Sequence, residues 1–176
     1  MTREIRIIPS ESIGVVNIGD TKDTVRQKMK DCDVALKYSV NNQFSKRDSF
    51  YEGDFFVHYD PMDAVSLIEV AYSMNDYLTV LWNDIPIFST EADALIQQTR
   101  KYAEFIENDE SNKGYTYVFD EFGVAYWRPG VFNKKDEAEE WFLELSCENQ
   151  ADERKHLYFE SVSVFRKGGW SSIVIK

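Results

Sequence analysis

The 176-residue sequence predicts an α+β protein in which an antiparallel sheet carries its helices on one face. Three observations predict it. Short aromatic and β-branched runs alternate with turn residues from Ser49 to Trp82 and again from Tyr115 to Ile175. Two segments, after Asp20 and after Ser89, carry apolar residues at helical spacing behind capping residues. Hydrophobic residues make up 43% and aromatics 15%, enough apolar surface to offset chain entropy, and the length suits a single domain over residues 1–176.

The elements follow in order. Gly19-Asp20-Thr21 supplies a turn and an N-cap, Asp23 sits where the helix dipole favours an anion, and Val25, Met29 and Cys32 recur at helical spacing. Val34–Val40 come next, then a polar loop from Asn41 to Asp48. Ser49–Tyr51 and Asp54–Tyr59 read as a hairpin turning at Glu52-Gly53. Asp60-Pro61-Met62-Asp63 is a second turn, because Pro presets φ and Asp can bond nearby amides. Val65–Tyr72 and Tyr77–Trp82 extend the meander. Ser89 or Thr90 caps a second helix, with Asp93 at the capping-box position and Leu95, Ile96, Thr99, Tyr102, Ala103 and Ile106 as its apolar stripe. Asn108–Lys113 ends it in a polar loop. Tyr115–Phe119 and Gly123–Trp127 form a hairpin turning at Asp120-Glu121. A helical insertion occupies about Lys135–His156. Leu157–Arg166 and Ser171–Ile175 are expected to close the chain as a hairpin through Lys167-Gly168-Gly169.

The two halves look alike. Val16–Asp20 leads into the first helix as Ile85–Ser89 leads into the second, and each half then reaches an aromatic strand, Asp54–Tyr59 and Glu121–Tyr126. Two similar helix-then-meander halves, about 12–82 and 83–176, are the expectation.

Charge excludes several functions. There are 31 Asp and Glu against 20 Lys and Arg, a net charge of -11. Nucleic-acid binding needs clustered cations to displace counterions, so neither nucleic acid nor an anionic membrane is an expected partner. Cys32 and Cys147 stand far apart without a CxxC, which predicts reduced thiols, no zinc site and a cytoplasmic location. MTREIRIIPS has charges at Arg3, Glu4 and Arg6 and reads as no signal peptide, and no apolar run is long enough to span a bilayer.

No nucleophile-elbow, P-loop, dinucleotide or H-E-x-x-H motif is present, so the chain is expected to be non-enzymatic, without cofactor or metal. Asp54, His58 and Asp60 share one strand face and are the candidate set for a rival metal-dependent or small-ligand enzyme. Cys147 and His156 could form a nucleophile pair, but their acidic surroundings would raise the thiol pKa. The aromatic strands read as core packing, with Arg128 placed to lie over a ring. A structural homo-oligomer burying the aromatic sheet face is a further alternative.

The most unusual stretch is 136–153, with eight acidic residues and no Lys or Arg, which leaves 23 acidic against 20 basic residues elsewhere. Ala138, Trp141, Phe142 and Leu145 would form the apolar stripe of one helix. Glu137, Glu140, Glu144 and Glu148 would align on an adjacent face, where like charges at i, i+4 oppose helix formation. Glu137, Glu140, Trp141, Glu144 and Glu148 are therefore the candidate docking residues for a basic protein partner; as a charge run they also read as a solvated face.

Ile85–Ser89, the Leu- and Ile-rich helix, Phe122–Arg128 and Tyr158–Val164 resemble small bacterial immunity proteins encoded beside polymorphic toxins. That resemblance covers about residues 80–170 and implies binding of a toxin without catalysis. The helix opening Gly19-Asp20-Thr21 is also similar to that of small outer-membrane assembly lipoproteins, whose lipidated Cys and signal peptide this chain lacks. Neither resemblance carries over a binding residue.

Overall fold

The computed structural model describes residues 3–31 and 46–174. Cys32, the Val34–Val40 stretch and residues 41–45 of the expected polar loop lie outside them. In chain order the strands are β1 (Glu4–Ile8), β2 (Ser12–Ile13), β3 (Val16–Asn17), β4 (Arg47–Phe50), β5 (Phe55–Tyr59), β6 (Val65–Ala71), β7 (Thr79–Trp82), β8 (Ile85–Pro86), β9 (Thr116–Phe119), β10 (Val124–Trp127) and β11 (Ser161–Phe165). The α-helices are α1 (Lys22–Asp31), α2 (Ala92–Thr99), α3 (Asp109–Lys113), α4 (Glu140–Leu143), α5 (Cys147–Lys155) and α6 (Trp170–Val174).

The main sheet is antiparallel throughout, in the order β4-β5-β6-β11-β10-β9. The order is symmetric. Each half of the chain supplies a helix followed by a three-strand meander, and the third strands, β6 and β11, pair at the centre. Val25 and Met29 of α1 and Leu95 and Ile96 of α2 are buried in one cluster with Val57, Tyr59, Val124 and Tyr126 of the sheet. Both helices therefore cover the same face, which makes the fold α+β. Each is also pinned by a tyrosine from the middle strand of its meander. The Tyr59 hydroxyl donates to Asp48, which Arg26 of α1 grips at 2.9 and 3.0 Å; the Tyr126 hydroxyl pairs with Thr99 of α2 at 3.1 Å. Burial pushes the Tyr126 pKa far up, so this hydroxyl stays protonated.

Where the chain departs from expectation, a competing partner is the reason. Tyr77–Trp82 does not continue the meander. A 3-10 turn over Tyr72–Asp76 carries the chain off, β11 takes the place beside β6, and β7 pairs in parallel with β1 in a second sheet ordered β3-β2-β1-β7-β8. Helix α2 stops at Thr99 because residues 103–107 are needed beside β9: Ile106 N–H donates to the Val118 carbonyl and Phe105 packs on Tyr117 and Phe119. Tyr102 and Ile106 thus leave the stripe and are exposed, with Tyr102 stacked on Phe122 at 5.1 Å. Thr90 does not cap α2, since its hydroxyl donates to the Pro86 carbonyl. Asn108–Lys113 holds a short helix rather than a loop, closed by a reciprocal Asn108–Ser111 capping box. The C-terminal hairpin is absent because β6 and β10 already occupy both edges of β11. Residues Trp170–Val174 form α6 instead, opened by the Asp120 carboxylate on the Trp170 amide and packed through Trp170 and Ile173 on Leu67, Val118, Ala125 and Phe165. No described helix is long and apolar enough to cross a membrane.

Candidate functional site

The acidic insertion links β10 to β11. Both ends are fixed by Arg128, a residue only 3% exposed. Its Nε donates to the Gly114 carbonyl at 2.9 Å and its Nη1 to the His156 carbonyl at 2.9 Å, while Phe159 lies under the charge at 5.5 Å. Burial lowers the Arg128 pKa, opposed by the field of Asp93. The imidazole of His156 packs directly on Gly130, where a Cβ would stand 2.8 Å from the ring. Inside the insertion the Phe132 and Phe142 rings pack at 5.1 Å, tilted by 39°, and the Arg154 guanidinium lies 4.9 Å from the Phe142 ring. This small hydrophobic centre holds the segment against the body.

The one long helix expected here is three short pieces: a 3-10 turn over Lys134–Ala138, then α4, then α5. Glu139 is extended between the first two, and Ser146, also extended, accepts from Asn149 N–H to start α5. A continuous helix would hold Glu137, Glu140, Glu144 and Glu148 in repelling register. The breaks take Glu137 and Glu148 out of that register and leave Glu140 and Glu144 one turn apart across α4, so the four do not share one helix face. Of the expected stripe only Phe142 is buried and Leu145 half-buried; Ala138 and Trp141 are exposed. All five candidate docking residues are exposed. Glu137 is spent on an ion pair with Arg154 at 2.7 Å. Glu140, Glu144 and Glu148 make no ion pair among the described residues. Leu143, which the sequence reading placed nowhere, is 63% exposed beside Trp141 at 46%. Its signal was available, since it falls off the period of Phe142 and Leu145.

The rival set does not assemble. Asp54 lies in the turn before β5 and accepts from the Ser73 hydroxyl. Asp60 caps its own turn through the Met62 and Ala64 amides at 2.8 and 3.0 Å. His58 and Asp60 line a common cavity of about 530 Å³ with Lys46 and Arg166, and Asp54 is not on its wall. A bulge between His58 and Tyr59 breaks the shared face. No group of three potential metal ligands occurs among the described residues. Cys147, exposed, and His156 mark opposite ends of α5, about 13 Å apart along its axis, and form no pair.

His58 nevertheless has an unusual setting. Its Nε2 is buried without a hydrogen-bond partner, 4.0 Å from Glu69. Burial disfavours the imidazolium and Arg47 adds repulsion, so the folded-state pKa lies below the usual value. Protonation thus costs more in the folded protein than in the unfolded chain. Stability is at its full value above about pH 6.5 and falls as pH drops from there through the lowered folded pKa. Urea titrations from pH 8 to pH 5 should show this loss for the native protein and a flatter profile for His58→Gln. Parallel profiles would refute it.

Comparison of the chain with protein families, with curated proteins and with solved structures finds no match.

Proposed function

We propose that the protein is a non-enzymatic binding protein that docks a basic protein partner through its acidic insertion, in the manner of an immunity or inhibitor protein acting on a toxin in the bacterial cytoplasm. One observation carries the reading: the insertion is anchored at both ends, yet among the described residues Glu140, Glu144 and Glu148 make no ion pair, and Trp141 and Leu143 stand exposed on the same short segment. A solvated face would gain from neighbouring lysines and has no use for an exposed tryptophan. An aromatic anchor rimmed by one sign of charge is the composition of an interface centre with a steering field. Arg154 and Lys155 do not undo this, because they are held by Glu137 and Asp152.

The test is a triple reversal, Glu140, Glu144 and Glu148 to Lys, beside Trp141→Ala. With the cognate partner in hand, the reversal should slow association at least tenfold at low salt and lose its effect as salt rises. Trp141→Ala should instead speed dissociation, by tenfold or more. Unchanged binding by both variants, with native circular dichroism, would remove the insertion from the interface.

A further inference from the structure

The outer face of the main sheet, opposite α1 and α2, contains a second feature that is independent of the insertion. Alternation along the strands sends Phe56, Glu69, Ser163 and Ala125 outward as one cross-strand row, fixed by the pairings Phe56 with Glu69, Glu69 with Ser163, and Ser163 with Ala125. Helix α6 covers the Ala125 end of this face. Between α6 and the open end lies a cavity of about 390 Å³, the size of a small-molecule site, walled by Glu69, His58, Ser161, Ser163, Trp127 and Trp170.

Its chemistry is uncompensated. Several half-buried and buried carboxylates elsewhere have firm partners: Asp48 has Arg26 and Tyr59, Asp20 has Lys28, Asp60 has two amides and Asp120 has the Trp170 amide. Glu160 also meets only an imidazole, that of His156 at 3.9 Å, but it shares its cavity with Arg154 and Lys155. Glu69 stands in the middle of the sheet, 33% exposed, and His58 is its sole ion-pair contact among the described residues; Arg47, the cation on β4, lies over the Phe56 ring. At 4.0 Å the His58 contact is too long for a hydrogen bond, and the burial of His58 keeps its imidazole from serving as a cation. The His58 Nε2 beside Glu69 is itself buried and unpaired. The wall therefore offers a carboxylate with two indoles and the hydroxyls of Ser161 and Ser163, and no Lys or Arg. An anion would meet repulsion there. A neutral polyol would leave the carboxylate unpaired in charge. A cation with several N–H donors satisfies the carboxylate and gains from the indole faces.

We propose that this cavity is a binding site for an organic cation, a guanidinium or alkylammonium group, held by Glu69 with Trp127 as the aromatic wall. The probe is Nα-acetyl-L-argininamide, whose guanidinium is its only charge, with Nα-acetyl-L-citrullinamide as its neutral isostere. Titration of the native protein, followed by amide and indole NMR shifts, should give saturable changes at the Trp127 indole and at Ser163, with affinity on the order of millimolar. Glu69→Gln, which preserves shape, should weaken binding at least tenfold, as should the neutral isostere against the native protein. Trp127→Ala provides a second, independent variant; its exposed side chain makes folding failure no obstacle, and it should weaken binding several-fold. The proposal is overturned if native protein gives no saturable shift at these signals, if Glu69→Gln binds the cationic probe as the native protein does, or if the neutral isostere binds equally well. None of these outcomes involves the acidic insertion, so they leave the docking reading where it stands.

Discussion

Replacing Gly123 by alanine is expected to destabilise the protein by about 2–5 kcal/mol, from a left-handed backbone cost of about 1–2 and overpacking of about 1–3 kcal/mol. Gly123 closes the turn between β9 and β10 at φ +72° and is buried. A Cβ there would collide with the Phe165 carbonyl oxygen and Ser10 Oγ, and would stand 2.8 Å from Ser10 Cα. The neighbours cannot yield cheaply. The Phe165 backbone belongs to central strand β11, and its amide donates to the Gly123 carbonyl at 3.0 Å. Ser10 lies in the turn between β1 and β2, and its hydroxyl donates to the Phe122 carbonyl at 2.9 Å. The position is thus where the second sheet rests on the first, and widening it separates them. Gly168→Ala is the control: φ is +68°, but nothing lies within 4 Å of the added carbon, so only the backbone cost of about 1–2 kcal/mol applies. Urea midpoints at constant slope measure both. Equal losses for the two variants would remove the steric argument.

The same position illustrates what the sequence could disclose. Phe122-Gly123 after Asp120-Glu121 announces a turn, and the flanking aromatic alternation announces β9 and β10, because hairpins are specified by neighbours in the chain. The helices α1 and α2 and the strands β5 and β6 are legible for the same local reason. Contacts that join distant segments carry no such signal. Glu4–Ile8 pairs in parallel with Thr79–Trp82 across some 70 residues, and no periodicity in either segment names the other. Lys167-Gly168-Gly169 has the composition of a hairpin turn, yet the outcome depended on whether β11 had a free edge, and it had none. The acidic insertion was visible as charge, but the reading kept it in one helix. Breaks at Glu139 and Ser146 release Glu137 and Glu148 from the i, i+4 repulsion and leave only Glu140 and Glu144 in it. Glu69 went unremarked because one acid in a strand normally points to water; its isolation follows only from the placing of α6 and the two tryptophans around it.

Arg128→Met is expected to cost about 2–4 kcal/mol, and the loss should be concentrated in the insertion. Met retains much of the aliphatic volume but none of the donors. Removing a buried guanidinium recovers its desolvation cost, which argues for a small effect. The opposing term is larger, because the buried Gly114 carbonyl would lose its partner, at about 1–3 kcal/mol, and the half-buried His156 carbonyl would keep only the 3.4 Å bond from the Phe132 amide. Gly114 ends α3 and His156 ends α5, so one side chain ties the segment before β9 to the return of the insertion into β11. Without it, residues 133–158 would keep the Gly130–His156 contact, the Phe132–Phe142 pair, the Lys134–Glu91 ion pair and the Ala92 amide bond to the Leu157 carbonyl, none of which reaches Gly114. Amide exchange should therefore accelerate across 133–158 by tenfold or more, while β5, β6 and β11 keep their protection. Arg128→Lys, able to reach one carbonyl but without the planar fork, should fall between the two. The result also bears on docking. An insertion that is set in place by Arg128 should lose partner affinity in Arg128→Met even though every candidate contact residue is intact, whereas a flexible acidic tail acting by charge alone would bind as before. Exchange that rises uniformly over the molecule, or a stability loss below about 1 kcal/mol, would show that Arg128 is not the anchor.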